Sequence, residues 1–169
     1  MRTRVATVAD APALARVHLA AWRSAYVGVM PDAFLAELDE ARFTRGWVRN
    51  LDEAAAVTIV GLTDSDRIDG FASYGDARDE DPPAAAELWA LNLHPVAFGT
   101  GLAIALEQHA LSALAASGHD AAYLWAAREN LRALRFYERE GWSPDRGARE
   151  QEFGGVPVAE VRYIKELTT

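Results

Sequence analysis

The chain has no cysteine, which excludes disulfides and thiolate metal sites. It has a single lysine, Lys165, and no cluster of basic residues; 17 basic against 25 acidic side chains give a net charge of −8. That balance makes nucleic acid a poor partner, because phosphate binding draws on a basic patch. No apolar run is long enough to cross a bilayer. The N-terminus has two arginines but no continuous apolar stretch behind them, so no secretory signal is expected, and the natural setting is cytoplasmic. His94, His109 and His119 show no metal-ligand spacing with one another, so a structural or surface role is the default and no metal is expected. No internal repeat is visible. Against these absences, half of the 169 residues are hydrophobic and a quarter charged, the profile of a soluble globular chain; residues 1–169 are read as one domain.

Arg4-Val5-Ala6 starts a strand, and Thr7 with Asp10 three residues later forms a capping-box-like helix start. Leu14, Val17, His18, Ala21, Trp22 and Ala25 then recur at helical spacing. Pro31 opens a second helix whose apolar pattern, Phe34, Leu35 and Leu38, continues through Phe43, Trp47 and Leu51. Residues 56–62 and 68–74 read as a hairpin around Asp64-Ser65-Asp66, and residues 76–83, with Asp79-Glu80-Asp81 and Pro82-Pro83, as a solvated surface loop. Glu87 to Leu93 is a strand stopped at His94-Pro95, Leu102 to Ala116 a helix, and Ala121 to Ala127 a strand. A helix from about Glu129 to Glu140 ends at Gly141, and a terminal hairpin turns at Phe153-Gly154-Gly155-Val156. The order β, α, α, β, β, β, α, β, α, β, β implies a mixed sheet with helices on its faces, α/β or α+β.

The chemistry concentrates between Glu87 and Ala103: strand, proline stop, glycine loop, helix start. Gly99 and Gly101 let backbone approach a ligand closely, and the free N–H groups of the helix start favour an anion such as phosphate or pyrophosphate. A glycine pair also serves as plain turn chemistry. A Walker loop fails here because Leu102 follows Gly101. A dinucleotide fingerprint fails because Ile104 stands where a third small residue belongs and Arg128 where an acid belongs.

Phe98-Gly99-Thr100-Gly101-Leu102-Ala103, after Pro95, resembles the Gln/Arg-x-x-Gly-x-Gly/Ala loop of the GCN5-related N-acetyltransferases. Phe98 is a departure from the polar residue usual there. Asn130, Phe136-Tyr137-Glu138 and Gly141-Trp142 resemble that family's Asn…Phe-Tyr-x-x-x-Gly-Phe run. The resemblance covers most of the chain and is most specific from Glu87 to Trp142. It implies a mostly antiparallel sheet of six to seven strands, splayed between its fourth and fifth strands, Glu87–Leu93 and Ala121–Ala127, to admit the pantetheine arm of acetyl-CoA. The implied donor-binding residues are Leu91, Asn92 and Leu93 on the strand, Phe98, Gly99, Thr100, Gly101, Leu102 and Ala103 in the loop and helix start, and Asn130 and Phe136.

The implied reaction is direct acetyl transfer to a primary amine of a small molecule or a protein. Tyr137 stands at the family's general-acid position. A phenol with a pKa of about 10 can protonate a thiolate whose acid lies near about 8.5 and stay neutral itself. The amine's proton goes to Glu87, the acid nearest the splay, or to an ordered water; strand alternation sets Glu87 on one face with Trp89 and Leu91. His18, Trp22 and Tyr26 share a helical face, read as packing with a satisfied hydrogen bond. The Trp22-Arg23-x-x-Tyr26 arrangement, with Gly28 and Pro31 after it, also resembles a family branch in which this section roofs the acceptor site, so Trp22, Tyr26 and Trp89 are candidate acceptor contacts. A homodimer through the terminal hairpin is compatible with the family. A non-catalytic acyl-CoA sensor or interaction domain, a larger acyl group and an alcohol acceptor all leave the same motifs in place.

Overall fold

The computed structural model describes residues 1–28, 30–63, 66–81, 85–153 and 155–167. Asp64 and Ser65 of the first hairpin turn, Pro82 and Pro83 of the acidic loop and Gly154 of the terminal turn lie outside them.

Among the described residues seven strands form one sheet: β1 (Arg2–Val5), β2 (Val57–Leu62), β3 (Ile68–Asp76), β4 (Ala85–Leu93), β5 (Ala121–Ala127), β6 (Ser143–Phe153) and β7 (Val156–Glu166). Their order across the sheet is β1-β2-β3-β4-β5-β7-β6, antiparallel throughout except where β4 meets β5. That one parallel pair needs a crossover, and α4 (Leu102–Ala116) supplies it. α1 (Ala11–Ala25) and α3 (Glu40–Glu53) cover one face, and α4 and α5 (Leu131–Arg139) the other. The short α2 (Asp32–Ala36) packs its Leu35 with Ala127 and Val158, at the β5 and β7 end of the sheet. The expected mixed sheet with helices on both faces is therefore the one observed.

Local signals account for most element boundaries. Asp10 accepts hydrogen bonds from the Thr7 N–H (2.8 Å) and hydroxyl (3.1 Å) and from Arg4 through two nitrogens at 2.7 and 2.8 Å. This carboxylate ties β1 to the 3₁₀ turn Val8–Asp10 that leads into α1. The apolar stripe of α1 then buries Leu14 and Val17 against Val60 and Phe71 of the sheet and Trp47 of α3. The helical section after Pro31 is two helices rather than one. Asp39 stands between them in an extended conformation, and its carboxylate accepts from the Ala41 and Arg42 N–H groups at 3.0 and 3.1 Å, so a new helix starts there.

On the other face α4 lies close against the sheet, as bare backbone at Gly61 and Gly70 permits. A Cβ at either position would meet a leucine methyl of α4 at 2.8 or 2.9 Å. Leu102 and Leu106 are fully buried in that contact. The acidic loop is not simply solvated: Asp79 accepts from the Trp125 indole at 2.7 Å and Asp81 pairs with Arg162 at 3.1 Å, which fastens the segment over β5 and β7. Among the described residues no helix is long and apolar enough to cross a membrane.

Candidate active site

The parallel pairing of β4 with β5 covers three residues, Ala85 with Ala121, Ala86 with Ala122 and Glu87 with Tyr123, and then stops, although both strands continue. The cause lies on the other edge of β4. Its pairing with β3 passes from Ser73 opposite Ala90 to Tyr74 opposite Leu88, which leaves Trp89 as an extra, unpaired residue. A bulge of this kind bends a strand and increases its twist, and here it turns the second half of β4 away from β5. Among the described residues, the backbone groups of Leu91, Asn92 and Leu93 on that side are left without a partner strand.

The bulge also resets which side chains share a face. Strict alternation sets Leu91 with Glu87; instead Leu91 and Leu93 pack with Ala86 and Leu88 in the cluster beneath α4, while Ala90 joins the cluster beneath α1. Glu87 lies on the opposite side of the strand from Leu91.

The gap opens into a cavity of about 470 Å³. Leu91, Asn92 and Leu93 form one wall, and Phe98, Gly99 and Ala103 the floor at the start of α4. Gly99 and Gly101 both have positive φ, 75° and 88°, a backbone that favours glycine, and Gly101 caps α4. The first-turn amides of α4 have no intrahelical acceptors. The opposite wall is α5. Asn130 caps it, accepting from the Ala133 N–H at 3.2 Å, and Asn130, Phe136 and Tyr137 all line the cavity.

Tyr137 is 8% exposed and sits edge-on to Phe136 and Trp142, with ring centroids 5.4 and 6.0 Å away. Among the described residues its hydroxyl makes no hydrogen bond. Burial, with the Glu107 carboxylate as a smaller influence, pushes its pKa well above that of an ordinary phenol, so the hydroxyl remains a neutral donor. Glu107 is itself fully buried; one oxygen accepts from the Trp142 indole at 2.7 Å and Lys165 at 3.2 Å, and the other has no partner among the described residues.

Glu87 lies at the last paired register before the splay and is 1% exposed. Its Oε2 accepts from the Arg78 N–H (3.1 Å), Arg78 Nε (2.9 Å) and the Tyr123 hydroxyl (2.9 Å), and Oε1 pairs with the same guanidinium. It does not line the cavity. Trp89 also lies outside it, under the Arg78 guanidinium at 4.4 Å with its indole donating to the Asp76 carbonyl.

Trp22 and Tyr26 pack on Phe153 of the β6–β7 hairpin, with centroids 5.2 and 6.3 Å away, and burial together with Glu160 pushes the Tyr26 phenol up to about 12. The α1 side of the cavity is formed by their neighbours Ala21 and Ala25. His18 packs among the rings of Trp22, Phe43, Trp47 and Phe71 as expected, but among the described residues the expected hydrogen bond is not made. Burial lowers its pKa to about 4, so it is a neutral packing group. Leu102 is a core residue whose side chain faces the sheet, and Thr100 turns its hydroxyl to the Ala97 carbonyl at 2.8 Å.

Sequence reasoning missed the three arginines that line the cavity from α5, Arg132, Arg135 and Arg139. Their spacing of three and four residues, which puts them on one helical face beside Phe136, was the available signal. Among the described residues no group of three or more His, Asp or Glu side chains could hold a metal ion.

A model of the acetyltransferase (GNAT) family matches residues 19–142. An uncharacterised N-acetyltransferase of Bacillus subtilis, YuaI, is 28% identical over 159 residues, 94% of this chain and 88% of its own length. The PaiA N-acetyltransferase of Thermoplasma acidophilum, solved with coenzyme A, superposes with a TM-score of 0.69 at 17% identity over 98% of this chain and 99% of its own. YncA of Salmonella typhimurium, solved with acetyl-CoA and described as a putative acetyltransferase, superposes with a TM-score of 0.70 at 17% identity over 100% of this chain and 95% of its own.

Proposed function

The chain belongs to the acetyltransferase (GNAT) family, and from that membership we propose that it moves an acetyl group from acetyl-CoA to a primary amine of a small molecule or protein by direct attack in a ternary complex. The observation that carries the reading is the cavity itself: a splayed strand pair, a glycine loop capping a helix, and a buried phenol all face one space. Coenzyme A and acetyl-CoA in the two solved relatives support the donor class. The free backbone edge at Leu91, Asn92 and Leu93 suits the amides of a pantetheine arm, as in strand addition. The amides of Gly99, Gly101 and Ala103 and the positive end of α4 suit its pyrophosphate, while those of Thr100 and Leu102 are engaged within the loop. Asn130 and Phe136 flank the arm from α5.

The amine nitrogen, once deprotonated, attacks the thioester carbonyl and the carbonyl oxygen takes up the negative charge. The attacking nitrogen, now cationic, passes its extra proton to water; collapse then re-forms the carbonyl as a neutral amide and expels the thiolate, to which the Tyr137 hydroxyl gives its proton. The phenol then recovers a proton from water. Both oxygens of Glu87 are already held by Arg78, and one also by Tyr123, so an ordered water is the simpler receiver of the amine's proton. Glu87 takes it directly only when the guanidinium moves aside. Trp22, Tyr26 and Trp89 shape the acceptor approach through Ala21, Ala25 and the Arg78 loop rather than as cavity walls. A cytoplasmic setting, where acetyl-CoA and amines meet, suits this reaction.

Calorimetric titration with acetyl-CoA and CoA, followed by thiol release against a mixed panel of amines, tests the proposal. Binding of both ligands with amine-dependent thiol release supports it. Binding without release on any amine replaces it with an acyl-CoA sensor, and failure to bind either ligand removes the donor assignment.

A further inference from the structure

The wall contributed by α5 carries more positive charge than the rest of the molecule would suggest. In a chain of net charge −8, Arg132 and Arg135 line the cavity and make no hydrogen bond or ion pair among the described residues. Arg139, one turn further along, is partly spoken for by Glu140 at 3.0 Å. Like charges three residues apart on a helix repel and destabilise it, so this pair stands at some cost to the helix.

Arg132 is also fixed in place. Its guanidinium lies over the Phe98 ring, 3.7 Å from the centroid, and Phe98 is the residue at which the glycine loop begins. A guanidinium held by its face keeps its N–H edge free, and that edge matches phosphate oxygens two at a time. The stack removes rotamer freedom that binding would otherwise have to remove. The floor of the same space is the capped start of α4, where Gly99 and Gly101 expose backbone donors.

Building on the acetyl-CoA reading above, we propose that Arg132, braced on Phe98, and Arg135 form the cationic clamp for the phosphate groups of the acyl donor. The loop then contributes an aromatic platform and backbone donors, and the cation comes from α5.

The experiment is calorimetric titration of wild type, Arg132→Ala, Arg132→Lys, Arg135→Ala and Phe98→Leu with three probes: acetyl-CoA, 3′-dephospho-CoA and S-acetylpantetheine. Arg132→Ala is expected to weaken acetyl-CoA about tenfold or more and Arg135→Ala by several-fold, with S-acetylpantetheine unchanged because it carries no phosphate. Arg132→Lys recovers little, since an ammonium is a point charge without the planar fork. Phe98→Leu shows a smaller loss of the same kind. A penalty that persists on 3′-dephospho-CoA identifies the pyrophosphate as the group held, and one that disappears identifies the 3′-phosphate; either supports the clamp. The arginines are exposed, and melting temperatures within a few degrees of wild type confirm that the variants fold. If acetyl-CoA binds wild type and both arginine variants within about twofold, the clamp is wrong while the donor assignment stands. If wild type binds no acetyl-CoA, the donor assignment itself has failed.

Discussion

Replacing Tyr137 by Phe removes one oxygen from the centre of the proposed site and nothing else. The ring keeps its packing against Phe136, Trp142 and Tyr163, whose centroids lie 5.4, 6.0 and 6.4 Å away. The hydroxyl makes no hydrogen bond among the described residues, so its loss leaves no protein group unsatisfied and costs the fold less than about 1 kcal/mol. For a chain of this size that corresponds to a melting shift of about 4 °C at most. The chemistry is affected on a different scale. A positioned acid contributes about 10² to 10⁴ in rate, so kcat is expected to fall by at least about two orders of magnitude, roughly 2.7 kcal/mol of barrier. The KM for acetyl-CoA should hardly move, because the hydroxyl acts on the departing sulfur. The pH dependence has a definite sign. Burial holds the phenol's pKa above its ordinary value, so the acid form persists through the alkaline range and wild-type kcat should show no loss from phenol ionisation up to about pH 9. Thiol release with the best amine of the panel, measured with melting curves for both proteins, decides the matter. A variant that retains kcat within about threefold would refute Tyr137 as the acid, however well it binds donor.

Three further outcomes concern the fold that holds this site. Asp10 is held at about 2 first by the Arg4 hydrogen bonds and then by the Thr7 N–H, so its contribution is present above the ordinary carboxylate range and lost as pH falls through about 2. Asp10→Asn should lower the melting temperature by a few degrees at pH 7, about 1–2 kcal/mol, and the gap should close on acidification. Glu107 is the opposite case: burial raises its carboxyl, so its favourable contribution belongs to pH below the ordinary value and is lost as pH rises through the raised one. Glu107→Gln, which can still accept from Trp142, should flatten the pH dependence of melting above the ordinary carboxylate range. Glu107→Leu, which strips the acceptor from Trp142 and Lys165, should cost about 3 kcal/mol in denaturant unfolding. Gly70→Ala places a methyl 2.9 Å from Leu106 Cδ1 and 3.2 Å from both Leu102 Cδ2 and Leu93 Cγ; an overpacked contact of about 1–3 kcal/mol should appear as a melting temperature lower by several degrees.

What the linear chain determined by itself is what near neighbours along it decide. The capped start at Thr7 and Asp10, the bounds of α4 and β5, the glycine loop and the spacing from Asn130 to Tyr137 all follow from caps, turn residues and periodicity over a few positions. The resemblance built on those motifs identified the family and nine of the residues that line the cavity. Where the chain signal failed, one cause was a local cap masked by the apolar pattern and the others were distant partners. The single helix expected after Pro31 became two because the Asp39 carboxylate satisfies the N–H groups of a fresh helix start, a cap hidden inside an apolar pattern that reads as continuous. The bulge at Trp89 exists only in the pairing of β4 with β3, and by inserting one residue it carries Leu91 to the face opposite Glu87. The clamping of Glu87 by Arg78 and Tyr123, and the meeting of Arg132 with Phe98, join residues 9, 36 and 34 positions apart. Periodicity records which residues can share a face of one element; which faces meet, and which charges find partners, is settled only when strands pair and helices pack.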